Sequence, residues 1–180
     1  MSKDKGNFYV LNPIAEKFPI GGSVSTKLDT LEGKTIVFLD NNKLQPYNKY
    51  FSLMGDLLKE KNGVKDIIHV KKPFFTRPAR PDILEQVVEH ADAAVTGLGE
   101  WGSCTAWSFR DAVNLEKLGI PSVCVITTAF LAIAKAQQKA MGYLELPFVA
   151  IQHPVAVSEE AEIREKVEVI YPDFIASFLK

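Results

Sequence analysis

The chain has 180 residues, 47% hydrophobic and 24% charged, which suits a single globular domain able to bury a core of its own. Its 21 Lys and Arg against 22 Asp and Glu leave a net charge of −1, so there is no basic surplus to neutralise a phosphate backbone, which argues against nucleic acid as a partner. No apolar run approaches the ~18 residues a membrane span needs, the start Met1-Ser2-Lys3-Asp4-Lys5-Gly6 is not a secretion leader, and two cysteines do not make a disulfide scaffold. A cytoplasmic protein with reduced thiols and no membrane partner is expected.

Residues 1–33 read as an N-terminal arm with a glycine pair, Gly21-Gly22, and weak periodicity, which packs across the domain or onto a partner subunit. Residues 34–180 read as one domain. Thr35-Ile36-Val37-Phe38-Leu39 predicts a first strand, ending in the turn signal Asp40-Asn41-Asn42. A helix follows over about Tyr47 to Glu60, closed by Asn62-Gly63. Asp66-Ile67-Ile68-His69-Val70 is a second strand, and Pro73 to Arg80 a loop. Pro81 suits a first helical position, and that helix runs to about His90.

Ala91 to Thr96 is a third strand, breaking at Gly97-Leu98-Gly99. A helix from about Cys104 to Leu118 stops at Gly119 and Pro121. Ser122 to Thr127 is a fourth strand, Phe130 to Met141 a helix closed by Gly142, and Phe148 to Gln152 a fifth strand stopped by His153-Pro154. Ser158, followed by Glu159, Glu160 and Glu162, marks the start of a final helix by capping and macrodipole preference. Five continuous apolar strands between helices predict a three-layer α/β/α sandwich around a mainly parallel sheet, Rossmann- or flavodoxin-like. The order of the strands is not readable from the pattern.

In such sheets ligands bind outside the carboxyl ends of the strands. That rule gathers Asn41 and Asn42 after the first strand, Gly97 to Cys104 after the third, Thr127 and Thr128 after the fourth, and His153 after the fifth. The densest stretch is Gly97-Leu98-Gly99-Glu100-Trp101-Gly102-Ser103-Cys104-Thr105. With Ser103 as N-cap, Cys104 falls in the first helical turn, where the helix dipole and free N–H groups stabilise a thiolate and can hold a substrate carboxylate or an oxyanion. A lone cysteine is more often a small core residue, and Cys124 between Val123 and Val125 reads that way.

His153 is the candidate base for Cys104, whereas His69 and His90 read as structural. Arg77 and Arg80 on the rim are candidates for a substrate carboxylate, against the commoner role of solvated surface residues. Glu100 is a candidate to orient a partner or to act as acid or base. Gly97-Leu98-Gly99 lacks the third glycine of a dinucleotide fingerprint, and the Cys and His residues show no metal-ligand spacing. Neither a cofactor nor a metal is therefore expected.

Gly99-Glu100-Trp101-Gly102-Ser103-Cys104-Thr105 resembles the motif of the UGSC family of (seleno)proteins, named for selenocysteine-Gly-Ser-Cys. The likeness extends to Val10-Leu11-Asn12-Pro13, Leu31 to Thr35, Leu39 to Lys43, Arg77-Pro78-Ala79, Asp111-Ala112-Val113, Leu115 to Pro121 and His153-Pro154. It implies a thiol- or selenol-dependent protein with redox chemistry. Trp101 stands where the family has selenocysteine or cysteine, so no selenenylsulfide or disulfide can close inside this motif.

Three readings follow. In the first, a cofactor-independent thiol enzyme uses Cys104 and His153 as catalytic groups on a small electrophilic or carboxylate-bearing substrate, in a lyase, hydratase, hydrolase or isomerase reaction. Asn41, Glu100, Trp101, Gly102, Ser103, Thr105, Arg77 and Thr128 then line the substrate. The second is a thiol-disulfide redox protein, and the third a non-catalytic binding or accessory subunit. The expected assembly is a homodimer or a complex with a paralogous subunit.

Overall fold

The apolar runs form one sheet of β1 (Thr35–Asp40), β2 (Asp66–Lys71), β3 (Ala93–Gly99), β4 (Ser122–Thr127) and β5 (Phe148–Ile151). Between and after them come α1 (Gln45–Asn62), α2 (Pro81–His90), α3 (Gly102–Lys117), α4 (Leu131–Met141) and α5 (Glu160–Phe178), with a single 3₁₀ turn at Thr128–Phe130. The computed structural model describes residues 21–41 and 45–180. The first part of the expected arm, Val10 to Pro13, and Asn42 with Lys43 lie outside the described residues.

All neighbouring strands pair in parallel, in the order β2-β1-β3-β4-β5. This is the expected three-layer sandwich, with the strand order of flavodoxin-like folds. Alternation along each strand divides the core between the two faces. Ile36, Phe38, Ala93, Val95, Val123 and Val125 pack toward α1 and α5. Val37, Leu39 and Ala94 face α2, while Cys124 and Ile126 join Phe109, Ala112 and Ala134 of α3 and α4.

The helix ends follow their local chemistry. Pro81 opens α2. α3 ends where Gly119 takes φ +85°, letting the Ile120 N–H reach back to the Leu115 carbonyl at 3.0 Å. Two expectations are corrected. β3 does not break at Gly97 but continues to Gly99, because Gly97 still pairs with Asp40 and Gly99 with Ile126 across an irregular register. Ser158 does not cap α5: its hydroxyl donates to the Pro154 carbonyl at 2.8 Å and accepts from Lys166 Nζ at 2.9 Å, and the helix starts at Glu160 with Glu159 at the cap position.

Residues 21–33 lie across the domain, with Leu28 bridging to Leu179 and Leu31 buried in the core. Lys72, the residue after β2, is buried against Asp111 of α3 at 2.5 Å, and the same carboxylate accepts the Ala79 N–H at 2.8 Å, which fixes both ends of the loop before α2.

Candidate functional site

A 2-1-3-4-5 sheet has its switch point between β1 and β3. Asn41 and the turn from Glu100 to Cys104 are therefore the first places to look, and they meet there. Asn41 Nδ2 donates to the Cys104 carbonyl at 3.0 Å and to Ser108 Oγ at 2.9 Å, while its own N–H binds the Gly97 carbonyl at 2.6 Å. Asn41 thus pins the first turn of α3. Among the described residues, Asn41 Oδ1 and Thr105 Oγ1 are buried with no hydrogen-bond partner. The approach is close: a Cβ on Gly99 would stand 2.8 Å from Thr105 Oγ1 and 2.9 Å from Thr105 Cα, so only glycine fits there.

The cap of α3 differs from expectation. Trp101, in extended conformation (φ −134°, ψ 166°), is the N-cap, Gly102 is the first helical residue, and Ser103 is an exposed second one. Cys104 is the third. The Trp101 N–H donates to Cys104 Sγ at 3.1 Å, and the thiol donates to the Trp101 carbonyl at 3.2 Å. Sulfur therefore does the work that a Glu or Gln at this position does in a capping box, satisfying the backbone N–H of the cap residue.

Burial has a second consequence. Cys104 is fully buried, and desolvation pushes its thiol up, against the opposing pull of the N–H groups of Trp101, Glu100, Thr105 and Cys104 itself. The expected stabilised thiolate is thus corrected: the helix terminus does act on the sulfur, but loss of water outweighs it, and the resting group is a thiol. Cys124, in mid-β4 beside Thr96, is raised further, to about 12, with burial again the leading cause. Both cysteines are free.

Glu100, 2% exposed, is the hub of the rim. It accepts the Tyr47 hydroxyl at 2.6 Å and the N–H groups of Val155 and Ala156 at 2.8 and 2.9 Å. Burial, followed by the hydrogen bond and charge of Glu100, raises Tyr47 well above the usual phenol range, so Tyr47 remains a donor. Its ring meets the half-exposed indole of Trp101 edge-on at 6.4 Å between centroids. Tyr47 is the functional candidate that the sequence reading missed. The available signal was topological: the helix after β1 begins on this same rim.

His153 comes to Glu100 rather than to Cys104. Its Nδ1 lies 3.1 Å from Thr127 Oγ1 and 3.7 Å from Glu100 Oε1, and its backbone N–H donates to Thr128 Oγ1 at 3.1 Å. Among the described residues no hydrogen bond joins His153 to Cys104. Thr128 also lines a groove of about 590 Å³ with Gln152 and Lys166. Arg77 is exposed and stands over the Phe74 ring, 5.6 Å from its centroid, and Arg80 pairs with Asp82, so neither arginine joins the cluster. Among the described residues no group of three His, Cys, Asp or Glu side chains is arranged to hold a metal.

The sheet order and a polar rim at its switch point define a flavodoxin-like α/β protein. A model of the UGSC family matches residues 9–180, and the chain belongs to that family. No curated protein matches the sequence. Among solved structures it is similar to FerB, a flavoenzyme NAD(P)H:(acceptor) oxidoreductase from Paracoccus denitrificans, at 15% identity over 81% of this chain and 94% of that one, with a TM-score of 0.43. It is also similar to CalG4, the calicheamicin glycosyltransferase, at 16% identity over 90% of this chain and 44% of that one, with a TM-score of 0.37.

Proposed function

We propose that the protein is a cofactor-independent cytoplasmic enzyme that uses Cys104 on a small electrophilic or carboxylate-bearing substrate. The observation that carries this reading is that a single turn after β3 holds both the thiol of Cys104 and the carboxylate of Glu100, which gathers Tyr47 and His153 around it. Burial keeps Cys104 protonated, so the sulfur enters the reaction as S–H. It protonates the substrate, or it attacks and passes its own proton to the substrate atom or leaving group that takes up the negative charge. Trp101 offers an exposed apolar face to the substrate, and His153 moves the second proton at the rim. Addition to an activated double bond, the reverse elimination, hydrolysis and isomerisation all fit these groups.

The test is turnover by the purified chain against a panel of small electrophiles and unsaturated acids. Cys104→Ser is expected to lower the rate by roughly 100-fold or more, the usual weight of a positioned acid, base or nucleophile. Full activity in Cys104→Ser sinks the reading.

Two observations favour a second reading, a non-catalytic binding or accessory subunit: the thiol is raised rather than lowered, and Trp101 stands in place of the family's first chalcogen. Turnover by the isolated chain excludes it. The redox reading has less support, because both thiols are buried and raised and Cys124 sits in mid-strand.

A further inference from the structure

Among the described residues, Nδ1 is the polar anchor of the His153 ring, whose centroid also lies 6.0 Å from that of Phe130 in an edge-on contact. Nδ1 faces Thr127 Oγ1 at 3.1 Å and the Glu100 carboxylate at 3.7 Å, both on residues at most 2% exposed, whereas 38% of the imidazole side chain remains exposed. The ring is thus partly open to solvent at the rim, and among the described residues Nε2 makes no hydrogen bond or ion pair. Neutral imidazole in water prefers its proton on Nε2, and the partner of the other nitrogen decides the tautomer in a protein. Here Nδ1 meets a hydroxyl oxygen that can accept and a carboxylate that can only accept. That carboxylate already takes three donors, from Tyr47, Val155 and Ala156, and retains acceptor capacity on Oε1.

We infer that Thr127 and Glu100 are positioning residues that hold neutral His153 as its Nδ1–H tautomer, leaving the Nε2 lone pair at the rim as the site's base. In this arrangement the base works outward, toward a substrate standing over the rim, and not on Cys104. The proton passes from substrate to Nε2, and the imidazolium formed keeps its Nδ1–H turned to Glu100, which offsets the new charge. That the proton comes from a substrate rests on the enzyme reading above. The tautomer does not.

The test is the nitrogen-15 spectrum of the histidine rings in the full chain at a pH where the rings are neutral, with His153 assigned from His153→Gln. The parent is expected to show a protonated Nδ1 and a bare Nε2. Thr127→Val and Glu100→Gln should each move the two resonances toward the opposite pattern, and the double variant should complete the exchange. An Nε2–H pattern in the parent overturns the inference, as does a double variant indistinguishable from the parent. Should Glu100→Gln fail to fold, Thr127→Val decides alone: a shift supports the inference and no shift overturns it. An Nδ1–H ring in a chain whose Cys104→Ser variant turns over normally would sink the thiol enzyme and leave this inference standing.

Discussion

α3 has a buried carboxylate at each end, and the two do different work. Glu116, near the carboxyl end, accepts the Ser122 N–H at 2.6 Å and the Ser25 N–H, tying β4 and the strap of residues 21–33 to the helix. Glu100, just before the amino end, also staples backbone, through Val155 and Ala156. Burial and backbone pairing are thus common to both and mark neither as a site. What sets Glu100 apart is its company: a phenol, an imidazole and, four residues on, a thiol. At the carboxyl-end rim Glu100 thus keeps titratable company, whereas Glu116 at the opposite rim takes two serine N–H groups.

Removing each carboxylate is the strongest way to break that comparison. Glu100→Ala strands two buried donors and the half-buried Ala156 N–H, at about 1 kcal/mol or more for each buried one, so a loss of about 2–3 kcal/mol is expected. Glu116→Ala strands one buried and one half-buried donor and should cost about 1–2 kcal/mol. Urea unfolding measures both. Only the first should also abolish activity and disturb His153. A Glu116→Ala enzyme as inactive as Glu100→Ala would show that the two ends are not functionally distinct.

The two thiols sharpen the contrast between rim and sheet interior. Both are raised by burial, so the unfolded chain, whose thiols titrate near 8.5–9, gives up its protons first. Stability is therefore full below about pH 8.5 and falls as pH rises, at up to about 1.4 kcal/mol per pH unit for each thiol. For Cys124 the fall continues to about pH 12. The buried tyrosines Tyr47, Tyr50 and Tyr171 are raised as well and add to the fall, most of it above pH 10, where an unfolded tyrosine titrates. Cys124→Ala should flatten that fall more than Cys104→Ala, because several N–H groups oppose the shift at Cys104. Equal slopes would mean that the start of α3 does nothing for its sulfur.

Much of the fold was legible in the sequence because its signals are local. Pro81, Gly119 and Gly142 end or open helices by backbone chemistry alone, and continuous apolar runs announce strands covered on both faces. The strand order was not legible, since five similar runs do not say which neighbours which. At the site, the sequence showed that Cys104 lies in the first turn of a helix and that Glu100, His153 and Asn41 share a rim. It did not show the raised thiol, which depends on burial by residues far away in the chain. Nor did it show Tyr47, which reads as one more apolar position of α1. Nor did it show that the guanidinium of Arg77, read as a candidate for a substrate carboxylate, stands over the Phe74 ring.

The smallest expected effect tests how the start of α3 is closed. Sequence preference alone names Ser103 as the cap, and replacing a capping serine by alanine costs ~1 kcal/mol. In the structure Ser103 is the second helical residue and exposed, and sulfur already satisfies the N–H of the cap residue. Ser103→Ala should therefore change stability by no more than about 0.5 kcal/mol, the usual range for a surface substitution. Cys104→Ala strands the Trp101 N–H as well as opening a small void, and should cost more than Ser103→Ala in the same thermal melt. A reversed ranking would return the cap to Ser103 and free the thiol of its structural duty.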